Sequence, residues 1–322
     1  MRAVYAQHPS SDDPLGALRI GEQPDATPPD EDWTVLTVKS AALNHHDLWT
    51  LRGAGLAADR YPMILGGEAC GVDEHGAELI VGSLISAPEW RHEPVRDPGH
   101  TMLSEGAPGT FAERVAVPRY ALIPKPEEFS YTEAASVTGT WLTAYRMLFT
   151  KSGLKPGDTV LIQGAGGGVS TALTRLARCA GYRVWVTSRS EEKREAAKRL
   201  GAHDSFPAGK PLPEPVDAVM ESVGRATWSH TLRSVRPGGT VVVTGATSGA
   251  DPIAHLNRVF WNELRIVGST LGTTEELRQL LRFMVLHGLR PEIAADLSFD
   301  EAREGFKRLI EGDVVGKIVF SW

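Results

Sequence analysis

The chain has only two cysteines in 322 residues, Cys70 and Cys179. Two thiols can neither build a disulfide framework nor complete a four-cysteine zinc site. No apolar run is long enough to span a bilayer, and the start, MRAVYAQHPSSDD, has no apolar signal core. A cytoplasmic protein is therefore expected. There is no basic stripe and the net charge is −6, so a nucleic-acid partner is not expected. No internal repeat or low-complexity tract stands out. With 42% hydrophobic and 23% charged residues the chain can bury a full core, and its length suits two domains.

The most informative stretch is LIQGAGGGVSTALTRLARCAG, residues 161–181. The apolar run Val160-Leu161-Ile162 reads as a buried strand. Gly164 to Ser170 reads as a turn, and Ala172, Leu173, Leu176, Ala177 and Ala180 share one face of a helix that Gly181 ends. Glycines let the backbone approach a pyrophosphate, and the N–H groups at the helix start hold the anion. The spacing from Gly164 puts Val169 at the third glycine position. A flexible strand-to-helix turn would also be glycine-rich, so context decides. Strands Tyr182–Thr187, Ala218–Val223 and Thr240–Thr244 alternate with helices, which implies right-handed crossovers and a parallel sheet. The expectation is a dinucleotide-binding domain.

The first ~120 residues differ: short strand-like runs such as 34–38 and 78–81 are broken by Pro and Gly. Residues 86–109 read as an irregular surface loop, and helical character begins near Tyr131. The tail carries two amphipathic helices. One has Leu277, Leu280, Leu281, Met284 and Val285 on one face; the other is opened by Ser298 and ended by Gly312. A last strand spans 317–320.

Taken in order, ALNHHDLW (42–49), PMILGGEACGV (62–72), GTFAERVAVP (109–118), LTAYRML (142–148), the glycine turn, GSTLG (268–272) and VGKIVF (315–320) resemble the medium-chain dehydrogenase/reductase superfamily. They look most like its zinc-independent quinone oxidoreductase and enoyl reductase branch. The resemblance implies an α/β fold: a Rossmann-type doubly wound parallel sheet, residues 123–272, inserted in a β-rich GroES-like domain made of 1–122 and 273–322. It also implies a homodimer, with the strand Leu264–Val267 as a candidate pairing edge.

Zinc-dependent relatives would carry Cys, His and Cys where this chain has Asn44, Gly67 and Gly139. None of these is an ordinary zinc ligand. Residues 86–109, matching the structural-zinc lobe, hold His92 and His100 but no cysteine. No catalytic and no structural metal is expected. Without a Lewis acid, hydride addition to an already polarised acceptor remains feasible.

No acidic residue follows the second strand at the place where NAD-binding folds hold the ribose. Ser188, Arg189 and Lys193 stand there and suit a 2′-phosphate. Ser188 with Glu191 could instead form a capping box, leaving the two cations solvated. NADPH is the expected cofactor. Its residues would be Gly166, Gly167, Gly168 and Val169 in the turn, Ser188, Arg189 and Lys193 beyond the second strand, and, by resemblance, Thr143, Gly245, Ser269 and Lys317. Thr143 could equally satisfy a buried helix start, and Lys317 could be an exposed strand lysine.

The polar cluster Asn44-His45-His46-Asp47 carries the expected chemistry. Asn44 could hydrogen-bond a substrate oxygen or the nicotinamide. His46 stands where zinc relatives have a proton-relay hydroxyl and could act as general acid. Asn44 and Asp47 could also simply cap a short helix. The expected function is zinc-independent, NADPH-dependent reduction of a quinone or an α,β-unsaturated carbonyl. The alternatives are a metal-assisted alcohol or ketone oxidoreductase using Glu68 and His46, and a non-catalytic NADPH-binding protein.

Overall fold

A computed structural model describes residues 1–312 and 314–322. The chain forms two compact units, Met1–Gly139 with Thr273–Trp322, and Thr140–Gly272. Residues 123–139, expected in the nucleotide domain, are tied to the first unit. Ile123 pairs with Ile80, and the Thr138 hydroxyl donates to the Val81 carbonyl at 2.9 Å.

In the first unit, alternating burial along Trp33–Ala42 marks a strand with one face in the core. It lies within a seven-stranded sheet, flanked by the strands 69–72 and 317–321 and also paired with 114–118. Both ends of the chain therefore build one sheet: Val319 sits opposite Ala42, and Phe320 opposite Ala41. The core below is aromatic. The ring of Phe111 meets Phe299, Phe306 and Phe320 edge-on, at 5.1–6.4 Å between centroids. One strand, Ile293–Ser298, escaped the sequence reading; its half-buried alternation hides between two helices, and it pairs in parallel with Lys317–Ser321. Ser298 and Glu301 form the expected cap, and the helix Ala302–Glu311 ends at Gly312.

The 86–109 loop contains short turns and one small ladder, in which Leu84–Ile85 pairs with Thr101–Met102. Asp97 organises it. Its carboxylate accepts from the Ala87 and Gly99 N–H groups at 2.8 and 2.7 Å, while Arg91 stacks 4.0 Å over Tyr120.

The second unit is a six-stranded, all-parallel sheet in the order 204–207, 183–188, 159–163, 216–221, 235–243, 265–268. The central strand Thr159–Gln163 is buried at every position, as a strand covered on both faces must be. The helices 168–179, 191–199 and 225–234 are the crossovers. This order reverses direction between the first and fourth strands in sequence, the switch point at which such sheets bind dinucleotides.

Candidate active site

A candidate nucleotide cradle lies at the carboxyl ends of the second unit's strands. After Gln163 the chain turns through Gly164 and Gly166, at φ +83° and +90°, conformations open to glycine at little cost. Gly167 caps the helix Gly168–Cys179, so Gly168 and Val169 stand in its first turn with their N–H groups at the positive end of the helix. This cradle fits a dinucleotide pyrophosphate. Gly245 follows the strand 235–243, and Ser269 is fixed by its N–H to the Val243 carbonyl at 2.8 Å. Thr143 is buried in the helical segment Leu142–Tyr145.

At the end of the second strand Ser188 is buried and Arg189 is exposed. The helix cap is Ser190, whose hydroxyl accepts from the Lys193 N–H at 3.2 Å; the capping box considered for Ser188 and Glu191 does not form. One residue was missed. Arg194 reaches back over the strand end and donates to the carbonyls of Ser188 and Arg189, at 2.9 and 3.4 Å. Its position in the same cationic run was the signal that could have found it.

The first unit holds a second group of candidate residues. Asn44 caps the helix His45–Arg52. The buried Asp47 carboxylate reaches back to the Asn44 N–H at 2.9 Å and across to the Gly66 N–H at 2.8 Å. Burial pushes its pKa up, while His46, these two N–H groups and Lys317 work against that rise.

Lys317 is not an exposed strand lysine. It is 4% exposed, and its ammonium donates to the Leu43 carbonyl, Asn44 Oδ1 and Glu68 Oε1, at 2.8, 2.7 and 2.7 Å. Three acceptors use all three ammonium protons, so the expected contact with the cofactor has no donor left. Glu68 is wholly buried and also accepts from Asn44 Nδ2 at 2.8 Å and from the Gly139 N–H. The second Asn44 Nδ2 proton goes to the Ala42 carbonyl at 3.2 Å. Donation from Asn44 to a substrate oxygen, expected from the sequence, therefore has no proton available. The residue is a bridge that holds the start of the helix.

Of the three positions matching the ligands of zinc-dependent relatives, Asn44 and Gly139 lie together, and their donor set does not fit the ion. A Cβ on Gly139 would stand 2.8 Å from Glu68 Oε1 and 3.0 Å from Asn44 Nδ2. A Cβ on Gly67 would meet the Met102 methyl at 3.2 Å. No group of three or more His, Cys, Asp or Glu side chains suited to a metal occurs among the described residues. The pairing of Glu68 with His46 considered for a metal fails as well, since the two side chains bond to different partners.

His46 Nε2 lies 2.8 Å from Glu105 Oε1, with both side chains partly exposed. Burial alone would lower the His46 pKa, but the Glu105 hydrogen bond and the charges of Asp47 and Glu105 outweigh it and raise the pKa above 6.5. The imidazole thus keeps its proton to a higher pH than a free ring would. Glu105 was not found in the sequence. His45 is exposed. Cys70 is buried and its thiol is pushed up to about 12 by desolvation, which rules it out as a nucleophile near neutral pH. Trp141 is core, while Trp49 is 36% exposed.

This sheet order and glycine turn define a Rossmann-type, dinucleotide-binding architecture. Residues 30–127 match the model of the alcohol dehydrogenase GroES-like domain, and residues 168–285 match that of the zinc-binding dehydrogenases. The acryloyl-coenzyme A reductase of Sulfurisphaera tokodaii is 28% identical over 95% of this chain and 97% of its own length. An alcohol dehydrogenase of Geobacillus stearothermophilus is 27% identical over 89% of this chain and 91% of its own. The crystal structure of an NAD-dependent alcohol dehydrogenase superposes with a TM-score of 0.91 at 31% identity, covering 100% of both chains. The chain belongs to the medium-chain dehydrogenase/reductase superfamily and is an oxidoreductase of the nicotinamide-dependent kind.

Proposed function

We propose that the protein is a zinc-independent, NADPH-dependent reductase of an activated carbon–carbon double bond, with enoyl thioesters ahead of simple enones and quinones. The observation that carries the reading is the closed cluster of Lys317, Glu68, Asn44 and Gly139, where a metal-using relative would need ligands. A reaction without a Lewis acid suits an acceptor whose developing charge delocalises onto its own carbonyl oxygen. The similarity to an acryloyl-coenzyme A reductase along almost the whole chain supports the thioester.

The nicotinamide, when bound, supplies the hydride. The chain supplies the rest. The turn at 164–169 holds the pyrophosphate, and Ser188, Arg189, Lys193 and Arg194 receive the 2′-phosphate through charge-assisted hydrogen bonds. His46, hydrogen-bonded to Glu105, which raises its pKa, is the proton source for the reduced product. Lys317 and Glu68 hold the segment from Leu43 to Asp47 in place.

We further propose that the protein works as a homodimer through the second unit. The strand Arg265–Gly268 is an edge of the six-stranded sheet. Near it in sequence, Ile253, Leu256, Phe260 and Trp261 are 68–82% exposed. An open strand beside exposed large apolar side chains suits a second copy.

The test is oxidation of NADPH and NADH, with EDTA present, against a panel of enoyl thioesters, enones and quinones. NADPH-selective turnover that survives the chelator is expected. Turnover of simple alcohols that stops with EDTA and returns with zinc would overturn the reading in favour of an alcohol dehydrogenase. NADPH binding without turnover of any acceptor would favour a non-catalytic dinucleotide-binding protein.

A further inference from the structure

Glu221 closes the strand Val216–Glu221, is wholly buried and has no cationic partner among the described residues. Its charge is met by neutral donors alone. Oε1 accepts from the Val223 and Gly224 N–H groups at 2.8 and 3.0 Å, the Thr227 hydroxyl is 2.9 Å from both oxygens, and the Thr231 hydroxyl reaches Oε2 at 2.6 Å. An isolated buried carboxylate would be costly, and a full set of donors is what makes the site tolerable.

This carboxylate sets the direction of every bond beyond it. Thr231 gives its only hydroxyl proton to Glu221, so toward Gln163 it can only accept. Gln163 must then present Nε2 to Thr231, at 3.0 Å, and to His230 Nδ1, at 2.8 Å. His230 accordingly carries its proton on Nε2, which faces the Lys210 carbonyl at 2.7 Å. Burial holds the His230 pKa below 6.5, in keeping with the neutral ring this arrangement requires. With its nitrogen so committed, Gln163 turns Oε1 to the Thr187 hydroxyl at 2.6 Å. The Thr187 oxygen is left to accept, and the Gly164 N–H points at it from 3.5 Å.

The chain of bonds crosses the carboxyl ends of three adjacent parallel strands, 216–221, 159–163 and 183–188. It ends on the first glycine of the nucleotide turn and on the residue before Ser188 and Arg189. We propose that Gln163 and Thr187, oriented from Glu221 through Thr231, are positioning residues for the dinucleotide: they hold the pyrophosphate turn and the 2′-phosphate residues in mutual register without touching the ligand. The assignment rests on the reading that the turn binds a nicotinamide dinucleotide. Positioning of this kind acts on affinity because a pre-ordered turn loses less entropy on binding.

The test compares Thr187→Val, which keeps the shape and removes the hydroxyl, with Thr187→Ser, which keeps the hydroxyl. NADPH dissociation constants are measured by titration calorimetry and stability by thermal unfolding. Val241→Ala, a core truncation in the same sheet outside the network, serves as a control for general loosening. Thr187→Val is expected to weaken NADPH binding by about tenfold and Thr187→Ser to restore it to within about twofold of the parent protein. The control should leave affinity near the parent value despite its lower melting temperature. Parent-like affinity in Thr187→Val, or an equal loss in Val241→Ala, would overturn the positioning role. A parent protein that binds neither NADPH nor NADH would instead overturn the functional reading on which the proposal rests.

Discussion

The Lys317 ammonium lies 2.7 Å from Glu68 Oε1, and the two side chains are 4% and 0% exposed. An ion pair this deep depends on both members. Lys317→Met should strand a buried carboxylate and cost about 3–5 kcal/mol of stability. The double variant Lys317→Met/Glu68→Gln removes both charges and should recover much of the loss, as read by urea unfolding. Equal stability of the single variant and the parent would mean that the pair contributes nothing.

Gly139 tests how closed this cluster is. A methyl group there would meet the Glu68 carboxylate at 2.8 Å, with Asn44 beside it. Gly139→Ala should cost about 1–3 kcal/mol through overpacking. A melting temperature unchanged from the parent would show that Glu68 can move aside.

Cofactor choice should depend on the cationic run after Ser188. Arg189→Ala and Arg194→Ala should each weaken NADPH by about tenfold or more and NADH far less, because only NADPH carries the extra phosphate. Arg194 also anchors two carbonyls, so its variant should lose some thermal stability as well. Equal loss of both dinucleotides in the Arg189 variant would discard the 2′-phosphate role.

The two engaged histidines should titrate in opposite directions. His46 is raised above 6.5 by Glu105 and Asp47 despite burial, so its stabilising contribution is complete below pH 6.5 and fades as pH rises through the folded-state value. His230 is lowered by burial, so its contribution is present above pH 6.5 and is lost as pH falls from there through the folded-state value. NMR titration of the ring protons should place the two on either side of 6.5, and Glu105→Gln should move His46 down. A His46 midpoint unaffected by that change would remove Glu105 from its control.

Light scattering at micromolar concentration should give twice the chain mass. Trp261→Glu, a residue 82% exposed, should shift the protein toward monomer without lowering its melting temperature greatly. A monomeric parent protein would reject the dimer.

Local signals account for what could be read ahead of the structure. The buried run at 159–163 and the helical face from Ala172 to Ala177 are written in neighbouring residues, and period and glycine placement identify them. Ser190 is the helix cap in place of Ser188 because the parallel strand pairing runs through Ser188, opposite Pro207, so the helix starts later. Glu105 faces His46 from 59 positions away, across a loop with no regular period. Nothing in that segment marks one glutamate over its neighbours.

The sequence by itself determined the class of fold, the glycine turn and the residue types Asn44, Gly67 and Gly139, because each depends on residue type at a local spacing. Tertiary structure alone decided what surrounds those positions. Lys317 and Glu68 are 249 positions apart and meet only because the last strand pairs beside Trp33–Ala42. The same folding spent the protons of Asn44 inside the protein and joined Glu221 to the glycine turn through side chains on separate elements. Hydrogen bonds saturate, so which donors remain for a ligand is settled by the protein's internal partners, and folding alone brings those partners together.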